Sequence, residues 1–456
     1  VVSNNAPTKL WQKGYAVHPL VEEYLTGDVS FDNRLIEADV LGSIAHARML
    51  GKIGLLTAEE VAALTKELAH IIELAEAGQF VVTTADEDVH TKIENHLTAT
   101  VGEAGGRIHT ARSRNDQVLV DLRLYTRGEL TALMDALLDT IEALTDYAEQ
   151  GKDIPMPGYT HMQRAMLSSV GLWIAGFAEA LLDDLQVLRT AYAINDQSPL
   201  GSAASYGVPF DIDRQYVADL LGFAKVQRNV LYAQAGRGKF EGLIVQALAQ
   251  IMIDLSRLAQ DVLLFTTSEY DFFRVAPEMT TGSSIMPQKH NLDVMEIMRG
   301  KARTVLAYQQ QILETVTGLP SGYNTDFGET KSAFMRALDV TVASLHVMTV
   351  FIPGLEPRQE QMQAACSPQL FATDHAYALV TSQEMPFRDA YRLIASQLDT
   401  LAPMDPHEQL QNRRHIGAAG NLGLDELRAS IVAERAVVAE QRAKIATVRE
   451  TLLGGA

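Results

Sequence analysis

The chain has 456 residues, enough for two or three domains, and its 47% hydrophobic and 21% charged content is ordinary for a globular protein. Its net charge of −19 argues against a nucleic-acid scaffold or an anionic membrane surface as partner, while leaving an anionic substrate possible in a locally positive site. A single cysteine, Cys366, excludes an intrachain disulfide and a cysteine-built metal centre, and no apolar run approaches the ~20 residues that span a bilayer.

Residues 1 to about 30 read as irregular, with a short helix from about Pro19 to Leu25. Val1 to Asn5 lacks the basic-then-apolar order of a secretory signal, so a cytoplasmic protein is expected. From Asp32 to about Gly78, Ala, Leu, Ile and Val recur at helical spacing, and Thr57 with Glu60 forms a capping-box start. Asp86-Glu87-Asp88 opens the next helix with acids that suit its positive end, and His90 there reads either as a packed structural histidine or as a functional one. Between Gly105-Gly106 and the next long helix lie Arg107, Arg112, Ser113, Arg114, Asn115 and Asp116. Arginine forks and helix-start N–H groups match carboxylates, although a solvated basic turn has the same composition.

Residues 117–149 read as a long amphipathic helix, and Pro155-Met156-Pro157-Gly158 then places Thr160 and His161 at the head of another. Residues 165–196 and 237–275 are again helical, separated by a turn-rich stretch in which a hairpin is expected near Ser202–Pro209. Helices this long indicate a bundle. The stretch Thr280 to Asp293 carries Gly282, Ser283, Ser284, Met286, Pro287, Gln288, Lys289 and Asn291, a loop inventory of hydroxyls, a cation and an amide. A polar surface loop would look similar; holding a carboxylate and moving a proton beside it would need these groups. Glu296 stands near the start of the following helix, and Gly322 to Lys331 interrupts the pattern once more. From about Glu356 a smaller helical region follows, with turns marked by Pro403, Pro406, Gly417, Gly420 and Gly423.

The run Gly282-Ser283-Ser284-Ile285-Met286-Pro287-Gln288-Lys289-His290-Asn291 resembles the signature of the fumarase/aspartase superfamily, in the form found in argininosuccinate lyases and delta-crystallins. His109 to Gln117, Gly158 to Ala165 and Asp88-Val89-His90-Thr91 are similar to that family's other motifs. The resemblance implies an all-α fold of three helical domains, which we place at 1–112, 113–363 and 364–456. It also implies a homotetramer whose long-helix core brings residues of three chains into each active site.

It further implies elimination across a succinyl C2–C3 bond with release of fumarate, and neither a metal nor an organic cofactor. Ser283 would be the base, working as an alkoxide. Lys289 and Asn291 would hold the carboxylate that gains charge. Ser113, Arg114, Asn115 and Thr160 would hold the succinyl carboxylates. His161 would serve the leaving nitrogen with Glu296 as its partner, and Tyr323 and Lys331 would touch substrate. Ser284, Met286, Gln288, Asp293, His90 and Asp28 complete the expected substrate-binding set.

The chain departs from the argininosuccinate lyase pattern at Trp11 to Tyr15, at Asp28 in place of a serine, at Leu292 in place of a proline, and at Gly328 in place of a glutamine. Tyr377-Ala378 and Tyr391 depart likewise. Groups expected to grip fumarate are kept and groups expected to grip the amine are changed. The sequence therefore leads to a lyase of another N-substituted aspartate, such as the aminopolycarboxylate ethylenediamine-N,N'-disuccinate. The alternatives are an argininosuccinate lyase and a non-catalytic delta-crystallin-like protein.

Overall fold

The structure, a computed structural model, describes residues 18–26 and 28–454; the departure at Trp11 to Tyr15 lies outside the described residues. The fold is all-α, with two-stranded sheets as its only extended pairings among the described residues.

The N-terminal part holds a helix at Pro19–Thr26, a 3-10 helix at Val29–Leu35, then α1 (Ile36–Lys52), α2 (Ala58–Glu76) and α3 (Val89–Val101). The capping box forms as expected: Thr57 Oγ1 accepts the Glu60 N–H at 3.2 Å, and the Glu60 carboxylate accepts the Thr57 N–H at 2.8 Å. Asp88 caps α3 by accepting the Thr91 N–H at 2.8 Å.

The long helices are α4 (Arg114–Gly151), α5 (Val170–Asn195), α6 (Lys239–Phe265), α7 (Asp293–Val316) and α8 (Glu329–Phe351). Ile141 and Leu144 of α4, Leu185 of α5, Leu248 and Leu255 of α6 and Leu345 of α8 are fully buried in one continuous core. Close approach at the turns is bought with glycine: a Cβ on Gly171 would lie 2.6 Å from the Cα of Lys152. Successive helices run antiparallel. Asn195, at the end of α5, exchanges hydrogen bonds with Arg123 near the start of α4, and Gly238, ahead of α6, abuts Val316 at the end of α7.

Residues 366–419 contribute to two small cores, one around Phe371 that also takes in Leu167 and one around Ala390. A last helix, α9 (Leu424–Leu453), returns along α4 and α1, where Ile431 and Val438 join the main core and Arg435 pairs with Asp139 at 2.8 Å. The segment expected as one C-terminal unit thus divides between the small cores and the bundle.

Two helical stretches, Lys239–Phe265 and Thr325–Gly354, are long and apolar enough to cross a membrane by length and composition. That differs from the sequence reading. Both belong to the bundle, with 61% and 44% of their apolar windows buried inside the protein.

Two local expectations are corrected. Thr160 and His161 do not head a helix. Pro155–Thr160 (β1) pairs with Gln163–Ser169 (β2), Thr160 facing Gln163 across a two-residue turn. His161 and Met162 both take left-handed φ, 52° and 61°, as a tight hairpin turn of matching twist requires. α5 starts only at Val170, where Ser169 Oγ accepts the Leu172 N–H at 3.0 Å.

No hairpin forms at Ser202–Pro209 either. That stretch coils around Asp116, whose carboxylate accepts the N–H groups of Gly201 at 2.9 Å and Ala203 at 2.8 Å. Gly201, Ala203, Ser205 and Gly207 all sit at positive φ, which prevents an extended strand.

Candidate active site

The expected site residues fall into two groups at opposite ends of the bundle. α4 has 38 residues, so at ~1.5 Å per residue it is about 57 Å long. Ser113, Arg114 and Asn115 stand at its start, whereas Thr160 and His161 follow its end. α7 separates the serine loop at its start from Tyr323 and Lys331 beyond its end by about 36 Å, from 24 residues at the same rise. Antiparallel packing puts the His161 turn and the serine loop at one end, with Ser113, Tyr323 and Lys331 at the other.

At the first end, Thr281–Gly282 pairs with His290–Asn291 in a small antiparallel ladder, so Ser283 to Lys289 form its tip. Ser283 Oγ accepts the N–H groups of Met286 at 3.1 Å and Ile285 at 3.3 Å. Two backbone dipoles aimed at one hydroxyl oxygen favour negative charge there. The Asn291 side chain donates to the Gly282 carbonyl at 3.4 Å, and Thr281 donates to the Asp293 carboxylate at the first turn of α7. Leu292 is buried and precedes α7 without a side-chain cap. Ser284, Met286, Gln288 and Lys289 are exposed, and Ile285 at the tip is 83% exposed. His161, Thr160 and Glu296 are exposed too, and among the described residues neither the His161 nor the Glu296 side chain has a hydrogen-bond partner. An open cavity of about 700 Å³ adjoins the His161 turn, lined by Tyr159, Met162, Arg164, Glu269 and Tyr270.

At the second end, Ser113 caps α4: its Oγ accepts the Asn115 N–H at 3.3 Å, while Asp116 accepts the Ser113 N–H at 2.8 Å. Arg114 donates to Glu87 at 2.9 Å and also to Asp88. Burial works against both ions of the Asp88 pair. The charges of His90 and Arg114 nevertheless hold the Asp88 carboxyl below its usual range, and Asp88 and Glu87 raise Arg114. Lys331 pairs with the buried Asp32. Tyr323 is anchored by its N–H to Ser205 Oγ at 3.1 Å, with its ring 38% exposed.

Asp28 caps the 3-10 helix and lies exposed, 3.9 Å from Arg336. Hydrogen bonds from Ser30, then the charges of Arg336 and Lys331, keep its carboxyl below the ordinary value. Nothing lies within 4 Å of the position a Cβ on Gly328 would take.

His90 is placed differently from an open substrate contact. It is 4% exposed, with Nδ1 2.5 Å from Asp39 and 3.5 Å from Asp121. Sequence reasoning passed over Asp39, Asp121 and Arg336. The available signal was acids at otherwise apolar positions of α1 and α4, where a lone carboxylate is costly.

Residues 16–307 match a protein family described as lyase. The argininosuccinate lyase of Sorangium cellulosum (strain So ce56) is 43% identical over 420 residues, covering 92% of this chain and 97% of that protein. The argininosuccinate lyase of Xylella fastidiosa (strain 9a5c) is 41% identical over 426 residues, covering 93% and 95%. The solved structure of EDDS lyase in complex with formate has a TM-score of 0.83 at 25% identity, covering 97% of this chain and 95% of that one. The protein is a fumarate-releasing carbon–nitrogen lyase, and the chain belongs to the argininosuccinate lyase branch of the aspartase/fumarase superfamily.

Proposed function

We propose that the chain cleaves argininosuccinate to fumarate and arginine, with Ser283 as the base. The observation that carries the chemistry is the pair of N–H groups donated to Ser283 Oγ by Ile285 and Met286. A serine alkoxide needs such donors, the nearby Lys289 charge and exclusion of water. Ser283 takes the C3 proton, and the electron pair passes into the adjacent carboxylate, held by Lys289 and Asn291. The C2–N bond then breaks, and His161, with Glu296 as its carboxylate partner in the assembled site, returns a proton to the leaving nitrogen directly or through water. Ser113, Arg114, Asn115 and Thr160 grip the succinyl carboxylates.

The identity of 40–43% to argininosuccinate lyases supports the choice of amine. Because the two residue groups lie at opposite ends of one chain, the site is completed by other copies of the chain, in a homotetramer.

A second reading is favoured by the EDDS lyase likeness and by the open space at Gly328: an aminopolycarboxylate such as ethylenediamine-N,N'-disuccinate takes the place of argininosuccinate. The ultraviolet absorbance of fumarate separates the two. Fumarate appearing faster from argininosuccinate supports the first reading. Fumarate from the diamine compound alone overturns it in favour of the second, and none from either would return the fold to a delta-crystallin-like structural role.

A further inference from the structure

α1, α3 and α4 meet at a buried cluster that the proposed chemistry does not use. Asp39 is 2% exposed, His90 4% and Asp121 1%. His90 Nδ1 lies 2.5 Å from Asp39 Oδ2 and 3.5 Å from Asp121 Oδ2. Ser43 donates to Asp39 Oδ1 at 3.2 Å and receives Arg112 at 3.0 Å. Both oxygens of Asp121 are without a hydrogen-bond donor within the described structure. Two ionised carboxylates held this close in a dry interior repel, and a bare carboxylate there is costly.

We infer that Asp39, His90 and Asp121 form a positioning unit in which one proton is held between the two carboxyls, and that this unit fixes the arginine corner of the active site. Asp39 is the charged member and takes the His90 ring N–H; Asp121 is the neutral member. Burial and the neighbouring Asp39 push the Asp121 carboxyl well above its ordinary range, while the His90 hydrogen bond holds Asp39 below it. The other charges facing the cluster are Arg112 from the loop before α4, the Asp32–Lys331 pair from the 3-10 helix and α8, and Asp88 at the start of α3. His46 of α1 donates its ring N–H to the Thr110 carbonyl at 2.8 Å, and burial takes the ring's pKa down to about 3, so it stays neutral.

The unit acts through a short chain of contacts. His90 is the second residue of α3, and Asp88, its cap, holds Arg114 together with Glu87. Moving the His90 ring moves Asp88, and with it the guanidinium that meets a substrate carboxylate. The inference rests on the reading of Arg114 as a carboxylate contact. A metal in the cluster, whose ligand-capable atoms lie within 4.8 Å of one another, would have to break the 2.5 Å hydrogen bond, so a proton is the better occupant.

The test uses the assembled enzyme, with fumarate as the binding probe and argininosuccinate as substrate. Asp121→Asn supplies a neutral side chain of the same shape and is expected to keep fumarate affinity and KM within about threefold. Asp39→Asn removes the charge that holds His90 and is expected to weaken fumarate binding and raise KM by about tenfold or more, with kcat less affected. In the unchanged enzyme KM rises on the alkaline side as the shared proton is lost; in Asp121→Asn that limb is absent. Equal damage from both variants, or metal-dependent fumarate binding, overturns the inference, because both charges would then be needed. If Asp39→Asn does not fold, the alkaline limb in Asp121→Asn alone decides. Failure of the unchanged enzyme to use argininosuccinate would sink the substrate reading while leaving the fumarate affinities to judge the cluster.

Discussion

Ser283 is an exposed-loop serine, and its pairing with two N–H groups is what sets it apart from Ser284 beside it, which accepts none among the described residues. If it is the base, Ser283→Ala should lower kcat by about 10²–10⁴ while fumarate still binds, because the carboxylate grip lies in other residues. Loss of fumarate affinity with kcat unchanged at saturation would assign Ser283 to binding instead. The residue scale also holds a stability switch away from the chemistry. Asp184 on α5 is 8% exposed, with Oδ2 unpartnered, and burial plus the neighbouring Asp254 and Asp183 push its carboxyl up to about 7. A carboxyl raised on folding contributes its full stability below the ordinary value near 4, and that contribution is lost as pH rises through about 7. Asp184→Asn cannot ionise. It should raise the melting temperature more at pH 8 than at pH 5, and least at pH 4; an equal shift at all three pH values would remove ionisation as the cause.

At the scale of elements, the β1–β2 turn is one place where the chain stores backbone strain. Met162 holds φ at 61° and is 62% exposed, so its side chain contributes little packing to offset the left-handed conformation. Met162→Gly should stabilise the protein by about 0.5–1 kcal/mol, read from chemical unfolding. A loss of stability would mean that the Met162 side chain is packed in the assembled enzyme. The same turn shows where sequence reading stopped. The long helices were legible from apolar spacing over many turns, and the α2 cap from Thr57 and Glu60 alone. The hairpin was not, because neither His161 nor Met162 announces positive φ as Asn-Gly would, and six plus seven strand residues give too short an alternation. The Ser202–Pro209 stretch failed for another reason: its shape is dictated by Asp116, some 85 residues earlier in the chain, and no local pattern reports a partner that distant. Of the candidate site, the residues proposed from the sequence are those in contiguous motifs. The buried acids Asp39 and Asp121 could not be read there, since their meaning lies in a contact between helices.

At the scale of the whole molecule, the proposed site residues stand at opposite ends of one chain. Arg114 and His161 flank α4, a helix about 57 Å long from its 38 residues, and a substrate the size of argininosuccinate cannot bridge that distance. The bundle also leaves apolar side chains uncovered along its length, including Val187 on α5, Ile297, Leu306 and Leu313 on α7, and Val350 on α8. Helix faces of this kind are buried when a second bundle lies alongside. Antiparallel pairing of two copies would bring the Arg114 end of one against the His161 end of the other. Arg114→Ala and His161→Ala should each be nearly inactive alone. Mixed after reversible dissociation, or produced together, they should regain activity, because some sites then draw a sound arginine from one copy and a sound histidine from another. Random symmetric mixing puts that fraction at roughly a quarter of the sites. Recovery requires the two residues to come from different chains; if the mixture stays as inactive as its parents while mixed tetramers are present by native mass spectrometry, each site takes both residues from one chain and the shared-site arrangement is wrong.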